Sequence, residues 1–217
     1  MKIGWKNFFT KLKVKDYNVT IGGAGASATA GKDISIDMDL PGDATGNVTV
    51  LVDGKPVTVS NNGNTGTSVP VKGGSNSITV STKDNNIGEG THNVTVIYSG
   101  DDKCAGVNSS TMVTVVPGLE ETSEESKKAK IVMDFYDGTY YVVRAYGDDG
   151  VPVPAGEVIG FSINGRDYKG MSDKNGYARL LIRLNPGSYK ITARYHNYMV
   201  TKTITVKQTL KLVKKNV

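Results

Sequence analysis

The chain has 217 residues, of which 38% are hydrophobic and 26 are glycine. This length leaves room for two domains of about 100 residues, and the short apolar runs exclude a membrane span of roughly 20 apolar residues. The single cysteine, Cys104, excludes an intrachain disulfide. The net charge of +5 lies in the tails, since residues 1–13 and 207–217 each carry +4 while residues 14–117 hold 6 basic against 10 acidic residues. Because no basic stripe covers the body of the chain, the sequence predicts no nucleic-acid partner.

Residues 1–15 form a basic amphipathic segment. Trp5, Phe8, Phe9 and Leu12 recur at helical spacing with lysines between them. The lysines interrupt every apolar stretch, so the segment does not fit a secretion signal. We expect the four apolar side chains to attach the chain to an anionic membrane surface or to a capsid subunit. A helix or strand packed on the first domain is the alternative.

The first predicted domain covers residues 16–117. Apolar and polar residues alternate along Asp33–Leu40, as in a strand with one buried face. Two further alternating runs flank Asp53-Gly54, a pair typical of a tight hairpin turn. Additional strands are predicted at Val69–Val71, Ile78–Val80, Val94–Tyr98 and Met112–Val116. The pattern predicts an antiparallel immunoglobulin-like β-sandwich.

Residues 118–130 lack alternation and are rich in Glu, Ser and Lys, so they are predicted to be an exposed linker. The second predicted domain covers residues 131–206 and has its own hairpin at Asn164-Gly165. Residues 207–217 form a basic tail. The sequence therefore predicts an all-β chain of two tandem immunoglobulin-like antiparallel sandwiches.

The two halves also resemble each other. VLVDGKPV matches FSINGRDY, EGTHNVTVIYSG matches NPGSYKITARYHN, and MVTV matches TITV, in the same order. Such self-similarity indicates two copies of one structural unit.

The strings ATGNVTVLVDGKPVTV and EGTHNVTVIYSGDDKCAG resemble the bacterial-type Ig-like repeats of adhesin-like surface proteins of methanogenic archaea. Residues 137–206 resemble another repeat type of the same proteins. The resemblance implies a sandwich fold and a cell-surface location, although such proteins normally carry a signal, an anchor and a long repeat array.

The sequence contains no convincing catalytic or metal-binding constellation. His92 and His196 lie beside different strands, without cysteine or acid ligands at suitable spacing, so neither zinc nor any other cofactor is predicted. Cys104 with His92 is a conceivable nucleophile and base, but a loop thiol without a catalytic role is the favoured interpretation.

Acidic loops raise the possibility of calcium binding. Asp101-Asp102, Asp148-Asp149 and Asp173 with Asn175 occur in turns, but none has the spaced ligands or closing glutamate of a calcium loop. Turn formation is therefore the favoured role.

Four N-x-Ser/Thr sequences provide possible N-glycosylation sites at Asn18, Asn47, Asn93 and Asn108. In a strand, Asn and Thr on either side of an inward Val also arise simply as its polar face. Tyrosines of the second domain could form a binding patch, although several of them must be core residues: Tyr140, Tyr141, Tyr168, Tyr195 and Tyr198.

These features favour a non-enzymatic module that mediates binding, attachment or spacing at an extracellular or cell surface. Its ligand would be a protein or a surface glycan. The alternative is a virion structural or capsid-decoration protein of a virus infecting an archaeal host, since assembly inside the cell needs no secretion signal. The position of the first 15 residues would discriminate between the two.

Overall fold

A computed structural model describes residues 18–21, 26–122, 131–134 and 139–208. For residues 18–21 and 131–134 it describes the backbone strands but not the side chains. The predicted attachment segment and the basic tail from residue 209 onward lie outside these ranges. The chain divides into two compact units, Met1–Val115 and Val116–Val217. Throughout the described ranges the regular structure is β-strand. The predicted all-β class is confirmed.

The first unit is a sandwich of two sheets. Their strand orders are β1-β3-β9-β6-β7 and β2-β11-β10-β4-β5, and β8 also pairs with β4. The strand bounds are β1 Asn18–Ile21, β2 Ser27–Thr29, β3 Asp33–Leu40, β4 Asn47–Val52, β5 Lys55–Pro56, β6 Val59–Asn61, β7 Asn64–Gly66, β8 Val69–Pro70, β9 Gly74–Ser81, β10 Gly90–Tyr98 and β11 Val107–Val116.

Alternation along the strands builds the core of the first unit. In β3 every second residue is buried, which gives one face of Asp and Ser and one of Ile, Met and Leu. Ile36 of β3, Val50 of β4 and Val94 of β10 are fully buried in one apolar cluster. The two sheets therefore bury their apolar faces against each other, as a sandwich requires.

The second unit has the same plan with fewer strands. Its sheets are β12-β14-β17 and β13-β19-β18-β15-β16. The bounds are β12 Leu119–Glu121, β13 Ile131–Asp134, β14 Tyr140–Ala145, β15 Val158–Ile163, β16 Arg166–Met171, β17 Tyr177–Leu181, β18 Gly187–Tyr195 and β19 Tyr198–Lys207. Among the registers described for both units, only β13 with β19 is parallel. At the centre of this core, Tyr141 meets Phe161 edge to face at 6.1 Å.

The first residues of the predicted linker belong to a strand. Leu119–Glu121 pairs with β14, and Leu119 is only 5% exposed in the core of the second unit. The prediction of an exposed linker from residue 118 is therefore wrong for this stretch, because β14 offers it a pairing edge and a place for its leucine. Residues 123–130 lie outside the described ranges.

Both predicted hairpins are confirmed. Asp53 and Gly54 have φ of 50° and 78°, and Asn164 and Gly165 have φ of 52° and 71°. Two consecutive positive φ values define the type I′ turn, which Asp-Gly and Asn-Gly adopt with little strain. Because β4-turn-β5 and β15-turn-β16 hold the same place in their sheets, the sequence repeat corresponds to a structural one.

Candidate binding surfaces

A tyrosine corner closes the second unit where the chain enters β18. The Tyr189 hydroxyl donates a hydrogen bond of 2.9 Å to the carbonyl of Asn185, four residues upstream. Such a corner is a recurrent feature of immunoglobulin-like sandwiches, where it fixes the start of the corresponding strand.

In the first unit His92 takes the place of this tyrosine. Its Nε2 lies 2.9 Å from the carbonyl oxygen of Gly88, again four residues upstream. Its Nδ1 lies 2.8 Å from a carboxylate oxygen of Asp53, in the turn between β4 and β5. The other Asp53 oxygen accepts a 2.9 Å bond from the backbone N–H of Asn93. The imidazole therefore joins the start of β10 to the neighbouring hairpin.

Each member of this pair changes the pKa of the other. The hydrogen bond that His92 donates to Asp53 raises the pKa of His92 above 6.5, although partial burial opposes the shift. The hydrogen bond from His92, followed by that from Asn93, lowers the pKa of Asp53 below 3.8. The two groups form an ion pair over the pH range in which both are charged.

A second carboxylate, Asp101, fastens two loops together at the opposite end of the first unit. One oxygen accepts hydrogen bonds from the backbone N–H and the hydroxyl of Thr45. The other accepts bonds of 2.8 and 2.7 Å from the backbone N–H groups of Lys103 and Cys104. These bonds, with Thr45 first, lower the pKa of Asp101. The Tyr98 hydroxyl donates to the carbonyl of Thr45, and burial raises the pKa of Tyr98 to about 12.

The conceivable catalytic pair of Cys104 and His92 is not brought together. His92 lies near the start of β10 and Cys104 follows its other end. Six residues of extended chain from His92 to Tyr98 span about 20 Å. Cys104 is 8% exposed and belongs to the core cluster, which agrees with the loop-thiol interpretation.

The acidic turns use their carboxylates to hold their own backbone. Asp173 accepts hydrogen bonds from the N–H groups of Asn175 and Tyr177, and Asp149 accepts one from that of Val151. In the part of the chain that the structure describes, no group of three or more His, Cys, Asp or Glu could hold a metal ion. Turn formation, the favoured role, accounts for these contacts.

Three of the four possible glycosylation sites lie on one sheet face. Asn47, Asn93 and Asn108 are exposed on β4, β10 and β11. Strand register places Asn108 near Asn47, since Asn108 pairs with Ile97, which pairs in turn with Thr49, whereas Asn93 lies four residues from Ile97 along β10. Asn18 lies on β1 of the other sheet. Asn47, Asn93 and Asn108 are accessible, and modification of any of the four sites remains a prediction.

The tyrosines of the second unit do not form a patch. Tyr141 is fully buried and Tyr195 is 8% exposed, so both are core residues. Tyr140 and Tyr168 are exposed but belong to different sheets. Several of the tyrosines are thus core residues, as expected, because alternation sends neighbouring tyrosines to opposite faces, and the two exposed ones do not share a sheet.

The outer face of the larger sheet in the second unit carries a hollow that sequence reasoning missed. Strand register aligns Lys169 of β16, Gly160 of β15 and Arg194 of β18 in one row across the sheet. Ser162 and Asp167 border the same hollow, whose volume is about 650 Å³. We call the row Lys169, Gly160 and Arg194 the basic groove.

Gly160 has no conformational reason to be glycine. Its φ is not in the left-handed region, and an added Cβ would meet nothing nearer than the backbone oxygen of Arg194 at 3.9 Å. Glycine weakens a strand interior and often marks close approach by a ligand or another backbone. Here its missing side chain leaves the floor of the basic groove open between two cations.

Apolar residues surround the basic groove. Val158 and Met171 pair beside it and are 51% and 66% exposed. Met199 pairs with Arg194 on the other side and is 61% exposed. Exposed apolar residues grouped around charged ones are typical of an interaction surface.

No family model matches the sequence, and no curated protein matches it. Among solved structures, fibronectin(III)-like modules of Clostridium thermocellum CbhA cover 92% of this chain and 100% of their own, at 16% identity and a TM-score of 0.29. A chimeric titin Z1Z2 fragment covers 90% and 97%, at 15% identity and a TM-score of 0.35. Tandem Ig repeats of Dlar cover 89% and 98%, at 11% identity and a TM-score of 0.29. At these TM-scores the likeness carries no argument about function.

Within the described ranges, no helix is long and apolar enough to cross a membrane.

Proposed function

We propose that the chain is a non-enzymatic immunoglobulin-like module that binds or spaces partners at a cell surface, as an adhesin does. The supporting observation is that its titratable side chains form structural hydrogen bonds. His92, Asp53, Asp101 and Asp173 are all engaged in holding turns and loops to the sheets. The two sandwiches therefore present sheet faces to their surroundings, and the basic groove is the face best suited to binding.

Attachment is assigned to the N-terminal segment on sequence grounds. Trp5, Phe8, Phe9 and Leu12 would bury their side chains in a partner surface, with the interleaved lysines directed to anionic groups. The virion role differs only in the surface to which this segment attaches.

Gold-labelled antibody against the chain, applied to intact source cells, to cell envelopes and to purified virus particles, tests the assignment. We expect label on the outer face of cells and envelopes. Label confined to particles would favour the capsid-decoration role, and label confined to the cell interior would contradict both.

A further inference from the structure

One face of the first unit complements the basic groove in charge. Asp33, Asp37 and Asp39 project from the outer side of β3, and a serine of β9 lies opposite each of them. Ser77 donates a 3.0 Å hydrogen bond to Asp37. Among the described residues, none of the three aspartates makes an ion pair. We call these aspartates the acidic face.

The carboxylate of Asp167 borders the basic groove but forms no ion pair with either of its cations. Neither Lys169 nor Arg194 makes an ion pair with any described residue. Strand spacing puts their backbones about 9.5 Å apart, with Gly160 between them. Asp37 and Asp39 lie two residues apart on one strand, or about 7 Å. Long, flexible Lys and Arg side chains readily adjust to that difference, so two ion pairs can form at once.

The exposed apolar residues around the groove favour a protein partner over a polysaccharide. Methionine and arginine are enriched at protein–protein interfaces, and Met171, Met199 and Arg194 all lie on this face. Net charge points the same way, since residues 14–117 have 6 basic against 10 acidic residues and residues 131–206 have 9 against 7. Complementary charge of this kind steers association and fixes its register.

We infer that the basic groove of one copy binds the acidic face of a second copy. The contact joins two different patches, so it can repeat from copy to copy, either closing into a ring or continuing as an open chain. This self-association goes beyond the proposed function, and it holds whether the chain attaches to a cell or to a virion.

Analytical ultracentrifugation of the full chain tests the inference. We expect the mass to rise with protein concentration in low salt and to return to that of the monomer in about 0.5 M salt, where charges are strongly screened. Lys169→Glu with Arg194→Glu should weaken association by about tenfold or more, as should Asp37→Lys with Asp39→Lys. The matched control, Lys174→Glu with Arg183→Glu, makes the same charge change at exposed residues outside the groove and should leave association nearly unchanged.

Mixing the two charge-reversed proteins identifies the partner. Neither protein can pair with itself. In the mixture, the glutamates of the reversed groove meet the lysines of the reversed face, and the unchanged groove meets the unchanged aspartates, so the large species should return. Gly160→Val fills the floor of the groove without changing charge and should also weaken association. Circular dichroism would check that each variant is folded. A wild-type chain that stays monomeric in low salt, association that survives the groove reversal, or a mixture that stays dispersed would each overturn the inference.

Discussion

Neutral His92 cannot satisfy both of its neighbours. Nε2 faces the carbonyl of Gly88 and Nδ1 faces the carboxylate of Asp53, and both of these are acceptors. A neutral imidazole donates from one nitrogen only, whereas the imidazolium donates from both. The geometry therefore favours the protonated ring, in agreement with the raised pKa of His92.

The stability of the first unit should therefore depend on pH through His92. Since the folded pKa of His92 lies above 6.5, its contribution is complete below pH 6.5 and is lost as pH rises through the folded value. The contribution from Asp53, whose pKa is lowered, is lost as pH falls below 3.8. We expect the free energy of unfolding to decline above pH 6.5 more steeply in the wild type than in His92→Tyr, which copies the corner of the second unit.

Imidazole titration by NMR gives a direct measurement of the same effect. Replacing Asp53 by Asn should lower the pKa of His92, because the largest cause of its shift is removed. A wild-type His92 that titrates at or below 6.5 would contradict the prediction.

A second prediction at the scale of single residues concerns Asp101. Its carboxylate closes the loop that contains the buried thiol of Cys104. Asp101→Asn replaces one acceptor oxygen by a donor, so the loop should open more often and Cys104 should react several-fold faster with a maleimide. Asp102→Asn, at the exposed neighbouring position, is the matched control and should leave the rate near that of the wild type. Equal rates in all three proteins would show that the loop is held by other contacts.

At the scale of elements, the strands with clear alternation were predictable and the short strand was not. Asp33–Leu40 and both I′ hairpins follow from residue pattern alone. Strand β12 has three residues, two of them Glu, so its pairing depends on β14 and leaves no local signal. The basic groove was missed because Lys169, Gly160 and Arg194 are far apart in sequence and meet only through strand register.

The correspondence between the two corners could be predicted from the sequence. Aligning EGTHNV with PGSYKI places His92 opposite Tyr189, and both side chains bond to a carbonyl four residues upstream. Recognising the shared corner requires knowing what the tyrosine does in such sandwiches.

The corner of the second unit should make a measurable contribution to stability. Tyr189→Phe removes the hydroxyl that bonds to Asn185 and leaves the ring in place. We expect a loss of about 1 kcal/mol in the free energy of unfolding, the usual net value of one hydrogen bond. Tyr140→Phe, at a side chain that is 51% exposed, is the control and should change stability little. Urea unfolding of the two full-length variants measures the difference, and equal losses would show that the corner has no special role.

At the scale of the whole molecule, the segment that connects the two units contains β12, and this strand belongs to the fold of the second unit. The backbone N–H of Tyr146 donates to the carbonyl of Gly118, and that of Thr122 donates to the carbonyl of Val142. The Tyr146 hydroxyl donates to Glu120 at 2.5 Å. Leu119 fills part of the core. A cut after residue 122 therefore leaves β12 attached by peptide bonds to the first unit but packed in the second.

Limited proteolysis of the full chain tests this consequence. From their composition, residues 123–130 are expected to be cut first, since they combine Glu, Ser and Lys without alternation. The two fragments should separate in denaturing gels but elute together in native gel filtration, because β12 remains paired with β14. Leu119→Ala should let them separate, since burying a leucine contributes about 2 to 5 kcal/mol. Leu184→Ala, at a half-buried leucine outside β12, is the control and should leave the nicked fragments together. Wild-type fragments that elute separately would show that the pairing of β12 with β14 is too weak to hold the two fragments together.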